Sequence, residues 1–437
     1  MPSLVLATAL LLSAAAEVSM PVLLPTDLVD PQGVRLEAQL PEPGLTLMEK
    51  DAERPSLWYA PVATRTSGDV VQLWYQRVNK GETEYSDQRT LCLGEIRNGQ
   101  WSLPGLSPDP LPWGGPNNVC LRRSPHKPTW GGFNVFQIVE AGETLQMLYW
   151  DQPAETGEAG AMRATSQDGR VWEKLPGAVF TEHNDAYSLI YVKGEYLLYQ
   201  TSLEPWPDKP YPDNLDKFKR VLCIRTSEDL QTWTPQEVFL RPDAQDPPET
   251  EFYLMKVFQY GRGYAGLIMK YYADPQKPKL HSAILKYELV VSEDTRTWAR
   301  PFRDTDLGYW SYADPFMVSG KMHFAMWQDG AMVTVAYVPG RLVAAVADAA
   351  EGSFKTRPFE RPYVALALNA DARNGWIEVS LLDGTGKPVD GAAPQRIEGT
   401  EGERIPLAWP LESLPADCML HVRLSNAKVY AVATQYP

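Results

Sequence analysis

Positive charge is in short supply in this chain of 437 residues: 41 Lys and Arg stand against 55 Asp and Glu, a formal net charge of −14. Binding nucleic acid or an anionic membrane needs a basic face, so neither is expected as a partner. Cysteine is scarce as well. Cys92, Cys120, Cys223 and Cys418 show no C-x-x-C or other metal-ligand spacing. Cys92 and Cys223 sit in matching contexts, Leu-Cys-Leu and Leu-Cys-Ile, and read as buried thiols; a disulfide stays open but is not indicated. The five histidines are scattered singly with no H-E-x-x-H, and no G-x-S-x-G elbow occurs. One phosphate-loop pattern, Gly261-Arg-Gly263-Tyr-Ala-Gly266, runs straight into an apolar strand from Leu267, leaving no helix N-terminus for an anion. Calcium at a central axis has no signature, and no cofactor is expected.

Long apolar runs are also missing after the first residues. The stretch Met1 to Ala16 has a short apolar core and an A-x-A site ending at Ala16, so a signal peptide is expected, although its start lacks Lys or Arg. A protein outside the cytoplasm, secreted or periplasmic and not held in a membrane, is therefore the expectation.

What the sequence does have is repetition. Ser166-Gln-Asp168-Gly-Arg-Val-Trp172, Ser227-Glu-Asp229-Leu-Gln-Thr-Trp233 and Ser292-Glu-Asp294-Thr-Arg-Thr-Trp298 all read S-x-D-x-x-x-W, their tryptophans 61 and 65 residues apart. Trp101 stands 71 residues before Trp172. A period of this size in strand-forming sequence indicates small antiparallel sheets packed around an axis. Second strands recur five times, at Val71–Tyr75, Leu145–Tyr149, Tyr196–Tyr199, Leu267–Tyr271 and Met322–Trp327. The expected fold is therefore all-β: a five-bladed β-propeller over residues 27–355, with Gly340–Val346 as a candidate last strand. After Phe359 the alternating strands lack the repeat, and a small β-sandwich over 360–437 is expected, with Trp376 and Trp409 in its core.

The loops between second and third strands are long, whereas the turns between first and second strands are short, so the binding face is expected where first strands begin. Residues entering that end include Glu53 to Ser56, Asn134, Asp185, Glu251, and Ser311 to Asp314. Asp185 and Glu251 stand at matching places in adjacent repeats. In the first repeat Glu49, Asp51 and Glu53 are the acids, Glu53 nearest; Glu249 is an alternative to Glu251. Coupled carboxylates near a low-dielectric axis suit acid/base work on a glycosidic bond. Asn134, His183, Asn184, Tyr253, Trp206, Trp310 and Asp314 are candidate sugar contacts. Trp206 and Tyr211 lie on a proline-stiffened loop that offers flat rings to a sugar or simply covers the blade edge.

The S-x-D-x-x-x-W units and the following strands, with Thr356-Arg-Pro-Phe359, Leu366–Asp371 and Gly375–Gly384, resemble the five-bladed glycoside hydrolases of families 32 and 43. The resemblance implies three carboxylates on blades one, three and four, onto which Asp185 and Glu251 map. The family motifs W-x-N-D-P-N-G, R-D-P and E-C-P are absent from blades one, three and four respectively, while Ala313-Asp-Pro-Phe316 resembles a family-43 opening motif placed in blade five. The expected function is hydrolysis of an oligo- or polysaccharide, with Glu251 as acid, Asp185 as tuning group and Glu53 as base or nucleophile. The alternative is a propeller that binds glycan without cleaving it.

Overall fold

The computed structural model describes residues 17–435 except 55–56, 80–88, 110, 112–114, 125–131, 153–157, 183–185, 210–212, 214, 216, 274–282, 361–364 and 410–414. The expected signal peptide therefore lies outside the described residues. The chain divides into two compact units, Leu40–Pro339 and a second made of the segments before and after it.

Among the described residues of the larger unit, five antiparallel sheets follow one another. The first runs through Leu57–Ser67, Val70–Asn79, Thr90–Arg97 and Gln100–Ser102, with Val119–Arg122 also on the third strand. The second comprises Asn134–Ala141, Thr144–Asp151, Gly160–Ser166 and Glu173–Phe180, and the third Ala186–Val192, Glu195–Pro205, Phe218–Ser227 and Glu237–Leu240. A three-stranded fourth sheet holds Glu251–Tyr260, Gly263–Ala273 and Ala283–Ser292. The fifth contains Phe316–Val318, Lys321–Gln328 and Ala331–Tyr337, completed by Glu42–Met48 from the start of the unit. This corrects the expectation that residues 340–346 supply that strand. Pairing an early segment with a late one covers the open edge of Ala331–Tyr337.

The repeated S-x-D-x-x-x-W turn is explained atom by atom. Asp168 Oδ1 accepts from the amides of Arg170 and Val171, Asp229 Oδ1 from Gln231 and Thr232, and Asp294 Oδ1 from Arg296 and Thr297. The chain then passes through a left-handed residue, Gly169 (φ 74°), Leu230 (61°) or Thr295 (70°). The carbonyl of that residue accepts the indole N–H of Trp172, Trp233 or Trp298. Two of these carbonyls also receive a donor from a neighbouring sheet, Trp74 Nε1 at 2.8 Å on Gly169 and Tyr199 Oη at 2.9 Å on Thr295. The motif is thus both a turn and a peg between sheets. Apolar cores fill the spaces, one joining Trp74, Phe133, Met147 and Trp172, another Leu197, Tyr199, Phe252 and Ile268.

In the smaller unit two antiparallel sheets enclose one apolar core that includes Phe354, Leu368, Ile377, Leu420 and Val429. Residues before 40 belong here. Glu17–Pro21 pairs with Ala427–Gln435, Val29–Gln32 with Gly352–Lys355, and Arg35–Ala38 with Val343–Ala347. The boundaries expected from sequence, 27–355 and 360–437, therefore shift to 40–339 and the two flanking segments. Trp409 is buried, donating to Ala393 O, whereas Trp376 is only half-buried, with the Arg396 guanidinium over its ring at 4.3 Å.

Two outcomes follow. Gly169→Ala forces a Cβ into a left-handed position against the Trp74 ring, so thermal unfolding should show a loss of about 1–3 kcal/mol from backbone strain alone. Residues 360–437 expressed alone lack five strands of their two sheets, and circular dichroism should show no cooperative melt; a sharp transition would refute this boundary.

Candidate functional site

First strands of successive sheets touch: Leu57–Ser67 meets Asn134–Ala141, which meets Ala186–Val192, which meets Glu251–Tyr260; Phe316–Val318 meets Leu57–Ser67. Each is followed by a tight turn beginning at residue 68, 142, 193, 261 or 319. Counting back five residues places Ala63, Gln137, Ser188, Lys256 and Asp314 at one level. Ala63, Gln137, Ser188 and Lys256 are fully buried, and polar groups at this level tie the sheets together. Ser188 Oγ accepts from Val257 N at 2.9 Å, Gln137 Nε2 donates to Tyr312 O at 3.2 Å, and Thr64 Oγ1 donates to Asp314 O at 3.0 Å. Lys256 Nζ lies 3.0 Å from Asp314 Oδ1. Burial lowers the Lys256 ammonium from its ordinary range, while the Asp314 carboxylate opposes that shift.

On the strand-start side of this level, Trp58, Gln76, Arg89, Asn134 and Tyr312 line a small cleft of about 70 Å³. Asn134 is buried, its Oδ1 accepting from Gln76 Nε2 at 3.1 Å, while Gln76 Oε1 accepts from Val135 N at 2.9 Å. The Trp58 ring meets Trp327 edge-on at 6.1 Å, and Tyr312 meets Trp310 likewise at 5.6 Å. Trp310 is itself buried. Asp185, His183 and Asn184 lie outside the described residues. Glu53 is exposed in a turn organised by Asp51, which accepts from the amides of Glu53 and Arg54 and pairs with the Arg54 side chain at 2.6 Å.

Glu251 has a different setting from the one expected. It is fully buried, with Oε1 2.7 Å from Lys209 Nζ and Oε2 accepting from Arg220 Nη1 at 2.8 Å and Arg220 N at 2.9 Å. Asp213 completes the group, 2.8 Å from Lys209 and 3.2 Å from Arg220. Burial alone would raise the Asp213 carboxyl; the Lys209 and Leu215 hydrogen bonds and the nearby cations outweigh it and hold it below the usual range. The Arg220 guanidinium lies over the rings of Tyr271 (4.1 Å) and Tyr253 (5.2 Å), and Trp206 is within 6.0 Å of Lys209 and Lys219. The cluster ties the loop after Glu195–Pro205 to the start of the fourth sheet, and in this arrangement both Glu251 oxygens serve as acceptors. Lys209, Asp213 and Arg220 had no motif to reveal them. The signal for Lys256 was a single Lys inside the apolar run from Phe252 to Phe258.

A second buried network ties the fourth sheet to the segments before and after it. Arg300 forks onto Glu288 at 2.8 and 2.7 Å and onto Asp246 at 2.6 and 2.7 Å. Burial tends to raise the Asp246 carboxyl, but the Arg300 hydrogen bonds win and hold it below the usual carboxylate range. The four cysteines form no disulfide; burial pushes the thiol of Cys92 up to about 11 and that of Cys223 up to about 12.

No protein-family model matches the chain, and no curated protein matches it. Solved structures similar to it are glycoside hydrolases at low identity. A Bombyx mori GH32 beta-fructofuranosidase is 13% identical with a TM-score of 0.45, covering 90% of this chain and 94% of its own. A glycosyl hydrolase from Bacteroides ovatus is 13% identical with a TM-score of 0.40, covering 70% and 97%. One from the GH130 family of mannoside phosphorylases, described as containing glycoside hydrolases that target beta-1,2 mannosidic linkages in Candida mannan, is 14% identical, TM-score 0.42, covering 73% and 97%. Similarity at this level assigns no activity to this chain.

Glu251→Gln leaves Lys209 and Arg220 short of a buried counter-charge, so denaturant unfolding should show a loss of about 3 kcal/mol or more; an unchanged midpoint would remove the structural role. Asp246 titrates below its ordinary 3.8 in the folded state, so in that window the unfolded chain binds more protons and stability falls as the solution is acidified. Thermal melts of Asp246→Asn should therefore decline less steeply than those of wild type between about pH 4 and pH 2.

Proposed function

We propose that the five sheets of residues 40–339 are the blades of a five-bladed β-propeller, and that this propeller is a glycoside hydrolase acting on a neutral oligo- or polysaccharide. The observation that carries this reading is the cleft at the strand-start end, where the Trp58 and Tyr312 rings stand beside the amides of Gln76 and Asn134. Aromatic faces with amide donors and acceptors match the C–H faces and hydroxyls of a sugar. In this proposal Asp185 and Glu53 are the acids available for bond cleavage, and Glu251 is a positioning residue that fixes the strand start. Whether cleavage retains or inverts configuration follows from the separation of the two acids. The acidic net charge is compatible with a neutral substrate. Residues 1–16 act as an export signal, and N-terminal sequencing of exported protein should begin at Glu17.

One observation favours the second reading, glycan binding without hydrolysis. Among the described residues lining the cleft there is no carboxylate, and both oxygens of Glu251 are engaged by cations. Screening the full chain against chromogenic glycosides and polysaccharides separates the two. Hydrolysis that falls about 10²-fold or more in Asp185→Asn and Glu53→Gln supports catalysis by those acids. Affinity for a polysaccharide with no turnover, weakened by Trp58→Ala, supports binding alone. Absence of both turnover and affinity would overturn the carbohydrate assignment.

A further inference from the structure

On the other side of the Lys256–Asp314 level, towards the tight turns, four sheets and the segment leading into the fifth contribute to a cavity of about 430 Å³. Its polar lining includes Thr64, Thr66, Glu140, Gln259 and Asp314, with the Tyr191 ring at its edge. This cavity is separate from the cleft beside Asn134 and shares no lining residue with it. Its volume falls in the range of small-molecule sites.

The charges around it are balanced. Glu140 pairs with Arg65 at 2.5 Å, and Asp314 pairs with Lys256 at 3.0 Å. Lys256 is fully buried behind Asp314, which is itself 35% exposed, so the cavity presents a carboxylate and no bare ammonium. An anionic ligand finds no cation in the lining, and a cation finds both carboxylates already compensated. What remains are hydrogen-bonding groups: the Thr66 hydroxyl, the acceptor side of Thr64 Oγ1, whose proton goes to Asp314 O, the Gln259 amide, and the acceptor capacity of Asp314 beyond its one close contact with Lys256. Tyr191 adds an exposed ring (43%), braced by Tyr196 with centroids 4.5 Å apart. A braced ring next to convergent acceptors and donors recognises a polyhydroxylated ring, stacking on its C–H face and bonding its hydroxyls.

We propose that this cavity is a second carbohydrate site, at the turn end of the first strands, which takes one neutral sugar ring with Asp314 and Gln259 on its hydroxyls and Tyr191 against its face. The proposal does not depend on hydrolysis at the strand-start end. It assigns Asp314, expected from sequence to join Asn134, to a different site.

The test is saturation-transfer NMR on the full chain with D-glucose, D-galactose, D-mannose, D-fructose and L-arabinose as separate probes. At least one should bind, with affinity falling about fivefold or more in Tyr191→Ala and in Gln259→Ala. Both positions are exposed, so these variants should keep the wild-type melting temperature; Asp314→Asn adds evidence if its melt is also retained. The proposal is overturned if no probe binds or if both rim variants bind as wild type does. Hydrolysis by wild type with none of these sugars bound would sink this site while leaving the proposed activity standing.

Discussion

First strands that converge from five sheets must resolve what happens where they meet, because polar groups brought there leave water together. The chain meets this demand at one level. Ser188 takes the amide of Val257 on the strand Glu251–Tyr260, Gln137 reaches Tyr312 O, Thr64 reaches Asp314 O, and Lys256 meets Asp314. Buried polar groups are destabilising when left unmade and specific when satisfied. These contacts join sheets that are distant in sequence, and the cavities on either side are what the level leaves open.

Further from that level, sheets are held by the S-x-D-x-x-x-W turn and by ion pairs. The turn commits its Asp to two amides and thereby fixes a left-handed residue whose carbonyl receives the indole donor. Arg170 with Glu95 and Arg296 with Glu195 then link a turn to a strand of another sheet at the surface, where such pairs contribute little. The stronger electrostatic contacts are inside, at Glu251 with Lys209 and Arg220 and at Arg300 with Asp246 and Glu288. A buried pair of this kind favours one arrangement of its loops because losing either partner strands a charge.

The same fact separates acids that build the fold from acids available to a ligand. Glu251 and Asp213 hold a loop against a strand start, and Asp51 organises the turn that carries Glu53. Asp314 has one buried counter-charge and still reaches a cavity. Position in a repeat therefore says less about a carboxylate than the cations that surround it.

The sequence by itself determined the all-β character, the recurring strand-turn-strand units, the turn motif and the change of texture after Phe359, because these rest on local periodicity and on side chains that bond their own backbone. It also marked Asn134 and Glu251, which open the first strands of the second and fourth sheets. Tertiary structure alone decided that Glu42–Met48 completes the fifth sheet and that Glu17–Ala38 belongs with the segment after Gly340, since strand pairing across hundreds of residues leaves no local signal. It alone decided that Glu251 is clasped by two cations and that Asp314 faces the turn end. Those outcomes depend on which side chains long-range folding brings within hydrogen-bonding distance of a carboxylate, and spacing along the chain does not encode that distance.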